Sequence, residues 1–93
     1  MAKRFPPGSP FGAWDTILDV TRQRSARVYI GVLLYGSLWD VEDRQVYVQF
    51  PYDFLRERAF GPDNRRKVEL EWAISKVLGG AWEVVPVVVD KDL

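Results

Sequence analysis

The chain has 93 residues, of which 47% are hydrophobic and 28% are charged, and its formal net charge is zero. This length and composition predict one folded domain, and they argue against intrinsic disorder and against a strongly basic nucleic-acid binder. Cysteine and histidine are both absent, which excludes disulfides, zinc sites built on those residues, and nucleophile systems that need either side chain.

The amino-terminal segment is typical of a linker. Residues 5–10 read FPPGSP, a composition that favours extended chain. We therefore expect residues 1–12 to be a flexible linker or tail and residues 13–90 to form a single interaction domain. Such a lead-in favours a fragment of a longer multidomain protein over the alternative, a free-standing protein with an extended amino end. No apolar run reaches the roughly 20 residues that span a bilayer, and prolines stand where a signal peptide would need apolar residues. These features predict a cytoplasmic protein with no membrane association.

Two apolar segments follow the linker, and the first has a clear helical period. Trp14, Ile17, Leu18 and Thr21 recur at the spacing of an amphipathic helix. Residues 26–35, ARVYIGVLLY, are rich in β-branched and aromatic residues, which favours a strand, but their apolar residues are too continuous to show a period of two. Propensity alone predicts a strand here and leaves a helix open.

A β-hairpin is predicted in the middle of the chain. Residues 38–41 are typical of a short strand, and the residues that follow, Glu42-Asp43, are typical of a tight turn. Residues 45–50, QVYVQF, alternate between apolar and polar side chains and predict a second strand with one buried face.

The sequence FPYDF at residues 50–54 joins this second strand to the next element. Pro51 ends the strand because proline has no N–H to donate to a sheet. We expect Phe50 and Phe54 both to turn inward and to hold the strand against the helix that follows. Asp53 is predicted to be the N-cap of that short helix.

The last third of the chain predicts a second helix and a final strand. GPDN at residues 61–64 interrupts the helical pattern and restarts it, with Asp63 or Asn64 as the new N-cap. The pair Gly79-Gly80 ends the second helix. Residues 82–89 are β-rich and include Pro86, which places this strand at a sheet edge.

Five motifs occur in a characteristic order: Trp14 with its helix, Phe50-Pro51, Phe54 with Glu57, Asn64-Arg65-Arg66, and AISKVLG at residues 73–79. Over residues 14–89 this order resembles the carboxy-terminal domain of the bacterial DNA polymerase III gamma/tau subunit. It is also similar in layout to the amino-terminal domain of the bacterial replication initiator. The resemblance implies a helix at residues 26–34 and an α+β fold, a KH-like two-layer domain in the order α-α-β-β-α-β with a small three-stranded sheet.

The same resemblance implies a function in DNA replication. The parent subunit would be a clamp-loader ATPase, and this domain would be a non-catalytic protein–protein interaction module that tethers the polymerase alpha subunit or the helicase. The chain carries no GxxxxGK[ST] loop, so ATP hydrolysis would reside elsewhere in the subunit. We expect no cofactor, no catalytic residues and no metal site, because the carboxylates at positions 40, 42 and 43 fit a hairpin turn and lack calcium-loop spacing.

The predicted partner-binding residues lie on the second helix of the carboxy-terminal third. At 100° per residue, Leu70, Ala73, Ile74, Val77 and Leu78 share one face, and Val68 and Trp72 fall nearly opposite, flanked by Arg65 and Lys76. Exposed Trp and Arg are frequent binding anchors, so Trp72, Val68, Arg65 and Lys76 are predicted to contact a partner. The alternative is that Trp72 is covered by a neighbouring loop or by the amino-terminal arm.

Basic residues support a second hypothesis, a module that binds single-stranded nucleic acid through phosphate contacts and stacking on Trp72. The residues that would contact nucleic acid are Arg22, Arg24, Arg27, Arg66 and Lys67. Acidic residues balance these charges, and the sequence lacks the GxxG loop with which KH modules clamp a nucleic-acid backbone. This hypothesis therefore ranks second to protein binding.

Overall fold

Helices cover one face of a three-stranded mixed sheet, which confirms the predicted α+β class. A computed structural model describes residues 10–89 of the chain. Its elements are α1 (Trp14–Arg24), α2 (Ala26–Tyr35), β1 (Ser37–Glu42), β2 (Gln45–Phe50), α3 (Asp53–Phe60), α4 (Lys67–Leu78) and β3 (Glu83–Val88). Of the predicted linker, residues 1–9 lie outside the described part, and residues 10–12 form a turn in which Pro10 is buried.

The sheet has the order β1-β2-β3, with β2 in the centre. β1 runs antiparallel to β2, and β3 runs parallel to it. Val46, Val48 and Phe50 are buried at alternate positions of β2, as predicted, and they pack with apolar residues of all four helices. Because parallel neighbours need a long crossover connection, α3 and α4 together carry the chain from β2 to β3.

The crossover holds two helices, as the interruption at GPDN predicted, where the order implied by the resemblance had one, so the full order is α-α-β-β-α-α-β. The break falls at the predicted GPDN segment, where Gly61 and Asn64 have φ of 94° and 59°, values that an α-helix cannot accommodate. The predicted N-caps were wrong. The residue before α4 is Arg66, and it makes no side-chain cap, while the Asp63 carboxylate accepts a hydrogen bond from the N–H of Arg65 at 3.1 Å.

Arg56 fixes the connection between α3 and α4. Its guanidinium donates to the carbonyl of Gly61 at 3.2 Å and to Oδ1 of Asn64 at 2.5 Å. It also donates to Asp53 at 2.7 Å, and this hydrogen bond lowers the pKa of the Asp53 carboxyl. Asp53 therefore lies in the first turn of α3 and pairs with Arg56; it is not the N-cap that the sequence predicted.

Residues 26–35 form the helix that the family resemblance implied, against their β propensity. The hydroxyl of Ser25 accepts a hydrogen bond from the N–H of Val28 at 3.2 Å and caps the helix. The core side of α2 includes Gly31, where an added Cβ would lie 2.6 Å from the Cα and Cβ of Ala59 on α3. This close approach of α2 to α3 is possible because residue 31 has no side chain.

The aromatic residues at the β2–α3 junction take opposite directions. Phe50 is buried and meets Phe60 edge-to-face, with ring centroids 5.5 Å apart. Phe54 is 56% exposed and stacks on Tyr52, so the prediction that it turns inward was wrong. The buried side of α3 is formed by Leu55, Ala59 and Phe60. Phe54 lies away from that stripe because consecutive helical residues are rotated by 100°.

The hairpin turn lies one residue later than predicted, at Asp43-Arg44. Both residues have positive φ, 47° and 67°, as a two-residue type I′ turn requires for the twist of its strands. The Arg44 side chain packs over the ring of Trp82 at 5.3 Å and donates to the carbonyl of Gly79 at 3.3 Å. These contacts hold Arg44 in a conformation that glycine or asparagine usually adopts.

The free edge of β3 is covered by α4, and Pro86 lies on that edge strand as predicted. The Glu71 carboxylate accepts a hydrogen bond from the N–H of Val84 at 2.8 Å, and the Lys67 ammonium donates one to the carbonyl of Val84 at 3.0 Å. Two residues further along the same edge, Pro86 has no N–H to offer. At these two positions β3 therefore offers no N–H to an additional strand.

Replacement of Gly31 by alanine should lower the free energy of unfolding by about 1–3 kcal/mol, because the new methyl group would overlap the backbone of Ala59. Helix propensity alone predicts a gain of up to about 1 kcal/mol, so the two effects differ in sign. Urea unfolding followed by circular dichroism measures the change. Leu33→Ala, at an exposed position of the same helix, is the control and should shift stability by less than about 0.5 kcal/mol. A Gly31→Ala variant as stable as the parent would contradict the close helix contact.

Candidate partner-binding surfaces

The predicted partner-binding residues lie on the outer side of α4. Val68, Trp72 and Lys76 are spaced by four residues and are all exposed, so they form one row along the helix. Arg65 lies in the loop before α4, where it is exposed and pairs with Asp63 at 3.5 Å. The structure therefore brings three of the four residues together and places Arg65 beyond the amino-terminal end of the row.

Trp72 is partly covered by the end of α1. The guanidinium of Arg24 lies 4.7 Å from the centre of its ring, and Arg24 also pairs with Glu69 at 2.6 Å. The exposed fraction of Trp72 is 37%. Among the described residues the group that covers Trp72 is therefore an arginine of α1. The sequence alternative had placed a loop or the amino-terminal arm there, and residues 1–9 of that arm lie outside the described part of the chain. This three-residue cluster connects α1 to α4.

The basic residues proposed to contact nucleic acid have different surroundings. Arg22 pairs with Asp19 at 2.8 Å and lies over the ring of Tyr29. Lys67 is turned toward β3, where it bonds the carbonyl of Val84 and pairs with two glutamates. With Arg24 held against Trp72, three of the five residues use their charge within the domain.

The other two predicted contacts have no carboxylate partner within the described residues. Arg27 is exposed on α2. Arg66 lines two surface cavities beside the α3–α4 connection, of about 340 and 330 Å³, and its Nε is buried without a hydrogen-bond partner in the described part of the chain. Each cavity is lined by one carboxylate, Asp63 or Glu57, so neither brings together the pair of carboxylates that acid–base chemistry commonly uses.

The outer side of α2 carries a surface that the sequence interpretation did not identify. Ile30, Leu33 and Leu34 are 49%, 50% and 62% exposed. Val28, Gly31 and Val32 occupy the opposite side and are buried. Since Ile30, Leu33 and Leu34 are spaced by three and four residues, their side chains adjoin and form one aliphatic patch. We call these three residues the α2 patch.

A signal for the α2 patch was present in the sequence. Residues 26–35 are apolar on every side of a helix, and such helices are usually buried. In a domain of this size, a helix at the surface can bury only one side. The continuous apolar run made the choice between helix and strand difficult. Once a helix is chosen, the same run predicts that one apolar face of the helix is left uncovered.

Trp39 is a second large apolar residue at the surface, on the side of the molecule formed by β1. It lies at a bulge, where Leu38 and Asp40 mark a shift in the pairing with β2. Ser37, Asp40 and Glu42 on the same strand are all exposed. The other exposed side chains of β1 are thus polar, and single exposed apolar residues are common on protein surfaces.

Comparison with known proteins finds no family model, curated protein or solved structure that matches this chain. Within residues 10–89, no helix combines the length and the hydropathy that crossing a bilayer requires. In the same part of the chain, no three acidic side chains gather closely enough to hold a metal ion. The surfaces themselves are therefore the basis for a functional proposal.

Replacement of Arg24 by glutamine should lower the free energy of unfolding by about 1 kcal/mol, because it removes both the cation–π contact with Trp72 and the ion pair with Glu69. Arg22→Gln is the matched control. Arg22 pairs with an exposed aspartate in the same helix, so its loss should cost less than about 0.5 kcal/mol. Denaturant unfolding gives both values, and equal values would show that the Arg24 cluster does not connect the two helices.

Proposed function

We propose that this chain is a non-catalytic protein–protein interaction domain and that it docks through the α2 patch. The observation that carries the proposal is the exposure of Ile30, Leu33 and Leu34 on a helix whose other side is already buried in the core. A surface helix of a globular protein ordinarily turns polar side chains outward. Exposed apolar patches larger than a few hundred Å² mark interaction sites, and a smaller patch such as this one can form the apolar centre of an interface with a polar rim.

The size of the hydrophobic term supports a specific but reversible contact. Complete burial of one leucine or isoleucine side chain contributes about 1.5–3 kcal/mol. The three side chains of the α2 patch are about half exposed, so covering them would contribute roughly 3 kcal/mol, or about a hundredfold in affinity. The patch is thus large enough to act as the centre of an interface, with polar contacts around it.

The assignment of this domain to DNA replication is supported by the order of motifs shared with the gamma/tau carboxy-terminal domain. We propose that the domain tethers the polymerase alpha subunit or the helicase to a cytoplasmic bacterial clamp loader, whose ATPase module lies elsewhere in the parent subunit. The helical state of residues 26–35 fits the layout that the resemblance implied. In this proposal, α2 supplies both a structural element of that layout and its docking face.

The double substitution Ile30→Ser/Leu34→Ser should weaken capture of the partner at least about tenfold, because it removes most of the exposed aliphatic area. The immobilised chain is mixed with purified polymerase alpha subunit or purified helicase of the organism that encodes it, and the bound fraction is measured. Stability should change by less than about 0.5 kcal/mol per site, since both side chains are exposed.

Val68→Ser on α4 is the matched control for this experiment. Val68 is exposed to a similar degree as the residues of the α2 patch, but it belongs to the surface that the sequence had predicted. Loss of capture with Val68→Ser and full capture with the α2 variant would place the interface on α4. Failure of the unaltered chain to capture either protein would contradict the proposed role in replication.

The nucleic-acid hypothesis stays a prediction with its own test. If Trp72 stacks on bases, titration with a single-stranded oligonucleotide should quench tryptophan fluorescence, and raising the salt concentration should reduce affinity steeply. Trp72→Phe keeps an aromatic ring and serves as the matched control for the origin of the quenching. A fluorescence signal that does not change at any salt concentration would contradict this hypothesis.

A further inference from the structure

Unpaired positive charge borders one side of the α2 patch. Arg27 lies in the same row of α2 as Ile30 and Leu34, three and seven residues before them. The Arg27 side chain is exposed, and within the described residues it makes no hydrogen bond or ion pair. On α3, Arg58 adjoins Ala59, the residue against which Gly31 of α2 packs.

Arg58 is also exposed, and its described contact is with the ring of Phe54, at 5.7 Å. No carboxylate in the described part of the chain lies within ion-pair distance of it. Toward α1, in contrast, Arg22 lies over Tyr29 of α2 and is neutralised by Asp19 at 2.8 Å. The helices packed around α2 therefore differ in charge: α1 brings a closed ion pair, whereas α2 and α3 each carry an exposed arginine, Arg27 and Arg58, with no carboxylate within ion-pair distance among the described residues.

A second copy of the chain would not complement this surface. The sequence of α2, ARVYIGVLLY, contains no acidic residue, so an identical α2 face would bring no carboxylate to Arg27. At about 25 cal/mol per Å², the roughly 3 kcal/mol of the α2 patch corresponds to roughly 120 Å² of apolar area, well below the ~800 Å² per partner of a stable interface. The surface fits a different partner that adds contacts of its own around the patch.

The α2 patch favours a helical partner, and the β3 edge of the sheet does not favour an added strand. β3 is the edge strand beside α4, and its backbone at Val84 is occupied by Glu71 and Lys67, while Pro86 lacks an N–H. The α2 patch, in contrast, is a row of side chains at helical spacing, and helices cover one another by packing such rows into grooves.

Resting on the proposed function, we infer that the α2 patch binds an amphipathic helix whose apolar side covers Ile30, Leu33 and Leu34 and whose carboxylates, along one flank, pair with Arg27 and Arg58. The apolar contact supplies most of the affinity. The carboxylates orient the helix and make association dependent on salt, because charges at the rim of an interface act mainly on the rate and specificity of encounter.

Two synthetic peptides test the inference directly. Both are amphipathic helices with the same leucine stripe at i, i+3, i+4 and i+7, and they differ in having glutamate or lysine at the flanking positions. Binding of each labelled peptide to the full chain is followed by fluorescence anisotropy at low and high salt. The glutamate peptide should bind at least about tenfold more tightly at low salt, and this preference should shrink at high salt.

Variants of the chain connect that preference to the named residues. Arg27→Gln/Arg58→Gln should reduce the preference for the glutamate peptide to less than about threefold, whereas Arg22→Gln should leave it unchanged. Ile30→Ser/Leu34→Ser should abolish binding of both peptides. Circular dichroism confirms that each variant is folded, and none of these four side chains on α2 and α3 is buried.

Four results would overturn the inference. Equal binding of the two peptides, or a preference that survives the Arg27/Arg58 substitutions, would reject the acidic flank. Absence of peptide binding would reject a helical occupant of the α2 patch. The proposed function would still stand in that case if Ile30→Ser/Leu34→Ser abolished capture of a replication protein by the chain. Light scattering that shows a dimer abolished by Ile30→Ser/Leu34→Ser would identify a second copy as the occupant.

Discussion

The contact between Gly31 and Ala59 determines how α2 sits on the domain. Because residue 31 has no side chain, α2 approaches the backbone of α3 more closely than it could with any other residue at that position. That approach buries Val28 and Val32 beside Gly31 and leaves the α2 patch on the far side. The position of the surface proposed for partner binding therefore follows from a packing requirement inside the protein.

Much of the positive charge of this neutral chain has a structural use. Arg24 covers Trp72 and pairs with Glu69, Arg56 binds the α3–α4 connection, and Lys67 bonds the backbone of β3. Through these contacts the charged side chains keep helices and loops in position, and loss of the contacts would lower the stability of the domain. Arg27 and Arg58 differ because neither has a carboxylate within ion-pair distance among the described residues, so their charge is available to a partner.

The sequence predicted those elements whose burial pattern has a clear period. The alternation of β2 and the buried stripe of α4 were both correct, since in each the buried residues recur at the period of the element. Gly79 at the end of α4 was also correct, and its φ of 79° explains the choice of glycine. The helix at residues 26–35 was reached by resemblance to a family and not by propensity, because its apolar side chains have no polar side to reveal a period.

The features that the sequence did not predict depend on contacts between residues that are distant from each other in the chain. Phe60 takes the place beside Phe50 that had been assigned to Phe54, and only the packing of α3 against the core decides between the two phenylalanines. Arg24 and Trp72 are 48 positions apart in the chain, so their contact is not visible in local patterns. The α2 patch differs from these cases: the continuous apolar run of residues 26–35 did indicate an uncovered face, but it was missed because composition alone does not distinguish an exposed apolar residue from a buried one.

The coverage of β3 by Glu71 and Lys67 has a consequence for the behaviour of the domain at high concentration. A bare edge strand acts as a template for intermolecular sheet growth, which leads to aggregates and fibrils. Here the backbone of Val84 is occupied and Pro86 has no hydrogen to give, so this side of the sheet resists such growth. The domain can thus expose the apolar α2 patch to a partner while β3 does not offer a backbone edge for nonselective self-association.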